Sequence, residues 1–308
     1  MIAIEGLTKI YGRRTALDHA SFEVPKGEIF GFVGPNGAGK TTTLRILAGL
    51  LEPTAGRAFV DGADVIQRPD LVHERLGYMP DFFGVYDQLS AVEYLDFYAA
   101  CYRQPKARRK KIADDLLELV GLSDRRNQLV DTLSRGLKQR LCLARALVHD
   151  PAVLLLDEPA SGLDPRARVE MREILKELQT MGKTIVISSH ILPELTELCT
   201  MVGIIDQGRI RATGPVHDVI RQLTIGRRLR ITVLGQKEEA IAVLRPLSAI
   251  HEATMVNGAI EAAFEGDEAT AASILQTLIA AGIKVSGFNQ LEGGLEDAFL
   301  KATAENVG

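Results

Sequence analysis

The run Gly34-Pro35-Asn36-Gly37-Ala38-Gly39-Lys40-Thr41-Thr42 carries the residue types that phosphate binding requires. Its glycines let the backbone fold around a chain of phosphates with several N–H groups aimed inward. Lys40 brings a point charge to the β- and γ-phosphates, and Thr41 offers a hydroxyl to Mg²⁺. A helix opening near Lys40 adds the partial positive charge of its N-terminus. The GxxxxGK[ST] spacing therefore predicts nucleoside triphosphate binding, provided that a strand enters the run and a helix leaves it.

Both flanks have that character. Ser21–Val24 and Gly27–Val33 read as short strands, and apolar residues recur at helical period from Lys40 to about Leu50. A turn over Glu52–Gly56 leads into a strand at Arg57–Val60. From Ser90 the period is helical, opened by the capping-box spacing Ser90-Ala91-Val92-Glu93, and two or three helices run to about Val148. The continuous apolar run Val153–Asp157 suits a strand covered on both faces. A helix at Pro165–Met181, a strand at Thr184–Ser188, a helix at Pro193–Leu198 and a strand at Met201–Asp206 follow. This alternation predicts an α/β fold with a mixed, largely parallel sheet.

Past a boundary at about 220–226 the order becomes strand, helix, strand, strand, helix, strand. It starts at Arg228–Leu234, turns through the hairpin signal Asn257-Gly258, and ends in a helix at Leu295–Ala304. That order predicts a small ferredoxin-like α+β domain.

Composition narrows the function classes. The 308 residues are 46% hydrophobic and 25% charged with a net charge of −4, which excludes disorder and a general basic field for nucleic acid. The longest stretch without Asp, Glu, Lys or Arg, Ala269–Ile283, is too short and too polar to span a bilayer, and the N-terminus carries no secretory pattern. The expectation is a soluble, intracellular chain whose three widely spaced cysteines are reduced core residues. The basic run Lys106–Lys111 reads as a solvated helix face.

Further along, Leu133-Ser134-Arg135-Gly136-Leu137, Val153–Asp157 with Glu158-Pro159, Ser161-Gly162-Leu163-Asp164 and Ser188-Ser189-His190 follow the glycine-rich run in order. Together these motifs resemble those of the ATP-binding cassette (ABC) ATPases that power membrane transporters. The resemblance covers roughly residues 2–222, implying an ATP-binding domain over 1–222 with a helical subdomain at about 82–148, and leaves 226–308 as an accessory domain. It implies ATP and Mg²⁺ as ligands, Tyr11 against adenine, and Asp157 toward Mg²⁺. Glu158 would polarise the attacking water and His190 would contact the γ-phosphate. Ser134 and Gly136 would meet ATP held by an opposite subunit, so the resemblance also implies a homodimer.

Two motifs depart from the family pattern. Arg135 and Leu137 stand where the signature usually has Gly and Gln; Arg135 either adds positive charge near the γ-phosphate or faces solvent, and solvent is the expectation. Asp81 replaces a glutamine that touches Mg²⁺, so Asp81 is expected as an altered metal contact. The resemblance implies a cytoplasmic subunit held peripherally on the inner membrane face by separate permease chains, for export, with no nucleic acid partner. The alternatives are a soluble ABC ATPase acting on DNA or ribosomes, and a nucleotide-responsive regulator without turnover.

Overall fold

Two long antiparallel strands, β1 (Ile2–Tyr11) and β2 (Arg14–Val24), open the chain. They are seen in a computed structural model that describes residues 1–308 apart from 82, 83, 85, 87, 191, 224–226, 292–298, 300, 301 and 304–308. Patterning predicted only short strands here. Register shifts between Ile4 and Leu7, and again between Leu7 and Lys9, break the alternation of faces and conceal the length.

Strand β3 (Ile29–Val33) runs into the glycine-rich loop and helix α1 (Lys40–Leu47). Strands β4 (Ala55–Val60) and β5 (Ala63–Asp64), helix α2 (Pro69–Arg75) and strand β6 (Leu76–Met79) follow. Helices α3 (Ala91–Cys101), α4 (Lys106–Leu119) and α5 (Arg135–Leu147) form the helical insert. The capping box forms as the spacing predicted: the Ser90 N–H and Oγ both donate to Glu93 Oε2, at 2.9 and 2.5 Å. On α4 the basic side chains Lys106, Arg108, Lys110 and Lys111 are exposed, as expected of a solvated face. Arg109 instead pairs with Asp96 at 3.7 Å.

Strand β7 (Val153–Asp157), helix α6 (Pro165–Thr180), strand β8 (Thr184–Ser189), helix α7 (Leu192–Leu198) and strands β9 (Met201–Asp206) and β10 (Arg209–Pro215) complete the first unit. One sheet has the antiparallel order β2-β1-β4-β5. The other has the order β10-β9-β3-β8-β7-β6, parallel except for the β9–β10 pair. Every residue of β3, β7 and β8 is buried, which accounts for their unbroken apolar runs. The ring of Phe22 on β2 stacks on Phe30 of β3, 4.9 Å between centroids, and ties the two sheets into one core.

Register places the chemistry. Val33 pairs with Ser189 and Asp157 with Ser188, so β3, β7 and β8 end at one edge. The loops that leave them emerge side by side at the carboxyl ends of parallel strands, where open α/β sheets bind ligands.

The chain divides into two units, Met1–Val216 and His217–Gly308. The division lies at helix α8 (Val216–Leu223), slightly before the boundary read from the sequence. The second unit contains β11 (Arg227–Val233), α9 (Lys237–Leu244), β12 (Ile250–Val256), β13 (Ala259–Phe264), α10 (Glu268–Ala280) and β14 (Val285–Leu291). Its antiparallel sheet has the order β12-β13-β11-β14, a split βαβ connectivity. Asn257 and Gly258 close the β12–β13 hairpin with φ of 47° and 84°, values that suit the Asn-Gly pair. Leu229, Ile231, Phe264 and Leu278 anchor a core of its own. The helix expected over Leu295–Ala304 falls largely outside the described residues.

Among the described residues no helix is long and apolar enough to cross a membrane. Cys142 and Cys199 are buried, but Cys101 is exposed at the end of α3, against the expectation that all three lie in the core.

Candidate functional site

The loop between β3 and α1 is held where only glycine fits. A Cβ on Gly34 would lie 2.3 Å from the Ile205 carbonyl oxygen. Gly39 has φ of +117°, and its Cβ would lie 2.7 Å from the Ala16 oxygen. The Lys40 side chain turns back over the loop, with Nζ donating to the carbonyls of Gly34 at 2.6 Å and Pro35 at 3.3 Å. Lys40 is only 6% exposed, and burial pushes its pKa down against the opposing pull of Glu158 and Asp157. Pro35 and Ala38 shape the turn itself, through an Ala38 N–H donated to the Pro35 oxygen at 3.1 Å.

Across the sheet edge stand the two acids. Asp157 is 1% exposed; its Oδ1 accepts from Ser188 Oγ at 2.5 Å, while its buried Oδ2 has no hydrogen-bond partner among the described residues. Glu158 adopts a left-handed backbone with φ of 52°, uncommon for a residue other than glycine. Its N–H is shared between Ser188 Oγ at 3.0 Å and the Ser188 carbonyl at 3.2 Å, which fixes that conformation. One side chain, Ser188, thus orients both acids.

The Glu158 carboxylate sits between Lys40 and His190. Oε1 lies 3.9 Å from Lys40 Nζ, and Oε2 is 2.8 Å from His190 Nδ1. Burial raises the Glu158 pKa above the ordinary glutamate value, and His190 and Lys40 offset part of the rise. A carboxyl tuned upward by burial, with a histidine and a lysine against it, is a general-base arrangement.

Tyr11, Asn36, Gly37, Gly39, Lys40, Thr41, Thr42, Asp81 and Glu158 line one open cavity of about 340 Å³. Sequence reading had singled out all of these. Arg14 and Ala16 line it too and were missed, since nothing in the local pattern around Arg13-Arg14 separates a lining arginine from a solvated one. Arg14 donates to the Gly37 carbonyl at 3.3 Å. Asp157 and His190 do not line it; Asp157 is joined to Glu158 through Ser188, and the exposed His190 meets the Glu158 carboxylate directly. The linking role of Ser188 was also missed.

Ser134 and Gly136 are not brought to this cavity. They line a second one of about 420 Å³ with Arg135, Leu137 and the 162–164 segment. Ser134 caps α5 by accepting from the Leu137 N–H at 3.4 Å. A Cβ on Gly136 would meet the Leu163 side chain at 3.2 Å. Arg135 is exposed as expected, yet its guanidinium also lies across Gly162.

Residues 17–161 match the sequence model of the ABC transporter family. The linearmycin resistance ATP-binding protein LnrL of Bacillus subtilis (strain 168) is 33% identical, over 100% of this chain and 99% of its own. The chain belongs to the ABC transporter ATP-binding proteins. The Nod factor export ATP-binding protein I of Ralstonia nicotianae is 34% identical over 100% of this chain and 95% of its own. A solved dimeric ATP-binding cassette in a post-hydrolysis state, bound to ADP and Pi, is 26% identical. It superposes with a TM-score of 0.64 over 70% of this chain and 98% of that one.

This ABC ATPase therefore binds and hydrolyses ATP with Mg²⁺ as a transporter subunit, a class whose members dimerise and partner with membrane permeases. The residues present fit the metal. Asp157 Oδ2 is a buried carboxylate oxygen without a partner among the described residues, a costly state that a cation relieves. Among the described residues no group of three or more His, Cys, Asp or Glu forms a cage of its own. Mg²⁺ at phosphate sites characteristically takes one or two carboxylates and fills its remaining positions from substrate and water.

Proposed function

We propose that two copies of this chain close on ATP and thereby drive separate integral membrane permease subunits in export. The chain would work peripherally on the cytoplasmic face, without a nucleic acid partner. The observation that carries this reading is the separation of the two cavities. The one with Lys40, Thr41 and Glu158 contains no residue of the 134–137 segment among its lining, so a second copy is needed to complete it. The export direction is supported by its relatives, one acting in linearmycin resistance and another in Nod factor export.

The residues take the following roles. Tyr11, 47% exposed at the cavity mouth, offers its ring to adenine. Loop N–H groups from Gly34 to Thr42 cradle the phosphates, and Lys40 places its charge against the γ-phosphate. Thr41, Asp157 and Asp81 hold Mg²⁺, which when bound neutralises charge on the phosphate oxygens. Glu158 accepts a proton from the attacking water, and its raised pKa keeps the driving force for that transfer. His190 holds the Glu158 carboxylate through Nδ1 and reaches the γ-phosphate with the rest of its ring. Ser134 and Gly136 meet the phosphate of the other copy. The accessory domain is taken over 226–308.

The test is phosphate release by the purified full chain, with and without Mg²⁺, beside Glu158→Gln. The variant should bind ATP, accumulate as an ATP-dependent dimer and lose turnover. Turnover unchanged in Glu158→Gln would refute the assignment. Copurification with a multi-spanning protein from membranes tests the permease.

A further inference from the structure

We propose that Arg135 of one copy acts in trans on the ATP held by the other, as a cation supplied beside Asp81. This rests on the homodimer reading above.

The two cavities have opposite electrostatic needs. The nucleotide cavity brings Asp81 and Glu158 to its wall with Asp157 close behind, against Lys40 and Arg14 as its cations. Both cations are engaged within the loop, Lys40 on the Gly34 and Pro35 carbonyls and Arg14 on that of Gly37. Three carboxylates exceed the two cations; Mg²⁺ would offset part of this, but the triphosphate it accompanies leaves the site net negative, and Asp81 deepens the deficit where the family carries a neutral glutamine. Low local dielectric makes such an imbalance expensive, so positive charge is wanted from outside the chain.

The signature cavity offers that charge. It is lined by Arg135, Arg140 and Arg166, but the last two turn to Glu170, at 3.2 and 3.3 Å. Arg135 has no ion pair among the described residues. Its guanidinium rests on Gly162, where φ is +70° and an added Cβ would lie 2.6 Å from Arg135 Cζ, so the glycine is a shelf for it. Arg135 also stands in the first turn of α5, which holds no acidic residue, where a cation opposes the helix dipole. Within the chain the charge therefore meets no acidic partner among the described residues. A phosphate or Asp81 presented by the second copy supplies one. The two charged departures from the family pattern, Asp81 and Arg135, then offset each other across the interface.

Mixed dimers purified through two different tags test this. In one, Lys40→Ala is in one chain and Arg135→Ala in the other, so the working loop faces an intact Arg135. In the second, both substitutions share a chain and the working loop faces the altered signature. Both dimers contain the same substitutions, so any folding loss is common to them. The second should hydrolyse ATP at least about tenfold more slowly, short of the 10³–10⁵-fold of a fully desolvated arginine finger. Arg135→Lys should recover part of the loss, and Asp81→Asn should shrink it. Equal rates overturn the proposal, and a slower first dimer overturns it by showing action within one chain. Failure of Glu158→Gln to dimerise with ATP removes the homodimer reading itself, and this proposal with it.

Discussion

Replacing Ser188 with alanine removes one oxygen atom and tests how the site is held. Ser188 is fully buried, and its hydroxyl makes two contacts. It donates to Asp157 Oδ1 at 2.5 Å and accepts the Glu158 N–H at 3.0 Å. Asp157 Oδ2 is already without a partner among the described residues, so the substitution leaves both oxygens of a carboxylate that is 1% exposed unpaired. Losing a hydrogen bond to a charged group costs about 1.5–3 kcal/mol. The second contact is partly covered, because the Ser188 carbonyl still accepts the Glu158 N–H at 3.2 Å. A loss of about 2–3 kcal/mol is therefore expected, or roughly 4–12 °C in the melting midpoint of a unit of this size. Denaturant and thermal unfolding without nucleotide measure it. Because Mg²⁺ with nucleotide binds only the folded chain and relieves the bare carboxylate, the deficit should shrink on their addition. Turnover should fall as well, since Glu158 loses part of what fixes its backbone. A change within about 0.5 kcal/mol, the range of an ordinary surface substitution, would show that the hydroxyl does not hold the acids.

Three further outcomes are expected. Glu158→Gln should lower turnover on the order of 10²–10⁴-fold while raising stability at neutral pH, read by phosphate release and by melting. The sign follows from linkage: a carboxyl whose pKa is raised in the folded chain favours folding at low pH and opposes it as pH rises through the folded value. In the same way, the acid limb of the pH–turnover profile should lie above the usual glutamate range and move higher in His190→Ala, since His190 holds the Glu158 pKa down. Gly34→Ala should abolish ATP binding, measured by titration calorimetry, because its Cβ would sit 2.3 Å from the Ile205 carbonyl. Phe264→Ala should destabilise the second unit by about 3–5 kcal/mol in urea unfolding and leave ATP affinity unchanged.

Much of the site was legible because phosphate chemistry restricts residue choice so tightly. The residues from Gly34 to Thr42 could be numbered before any geometry, since only glycine, lysine and a small hydroxyl residue suit those positions. The buried run ahead of Asp157 announced a central strand by the same economy. Arg14 and Ser188 were not legible in their roles. Arg14 reaches the cavity because the β1–β2 pair delivers it, and that pair was itself hidden by its register shifts. Ser188 matters through a pairing with Asp157 on another strand, a relation between residues 31 positions apart that no local pattern carries. Arg135 was expected to point to solvent, and it is exposed, but the glycine beneath it is a tertiary neighbour that the sequence places 27 residues away.

The left-handed backbone at Glu158 also bears on how this protein can be improved or can decay. Holding a non-glycine residue there costs of order 1 kcal/mol, and burying its charge costs more. Glycine at 158 relieves the first burden and glutamine the second, and neither can take a proton from water. A laboratory selection for heat resistance alone would therefore enrich silent motors at this position. Glutamate at 158 thus exchanges stability for turnover.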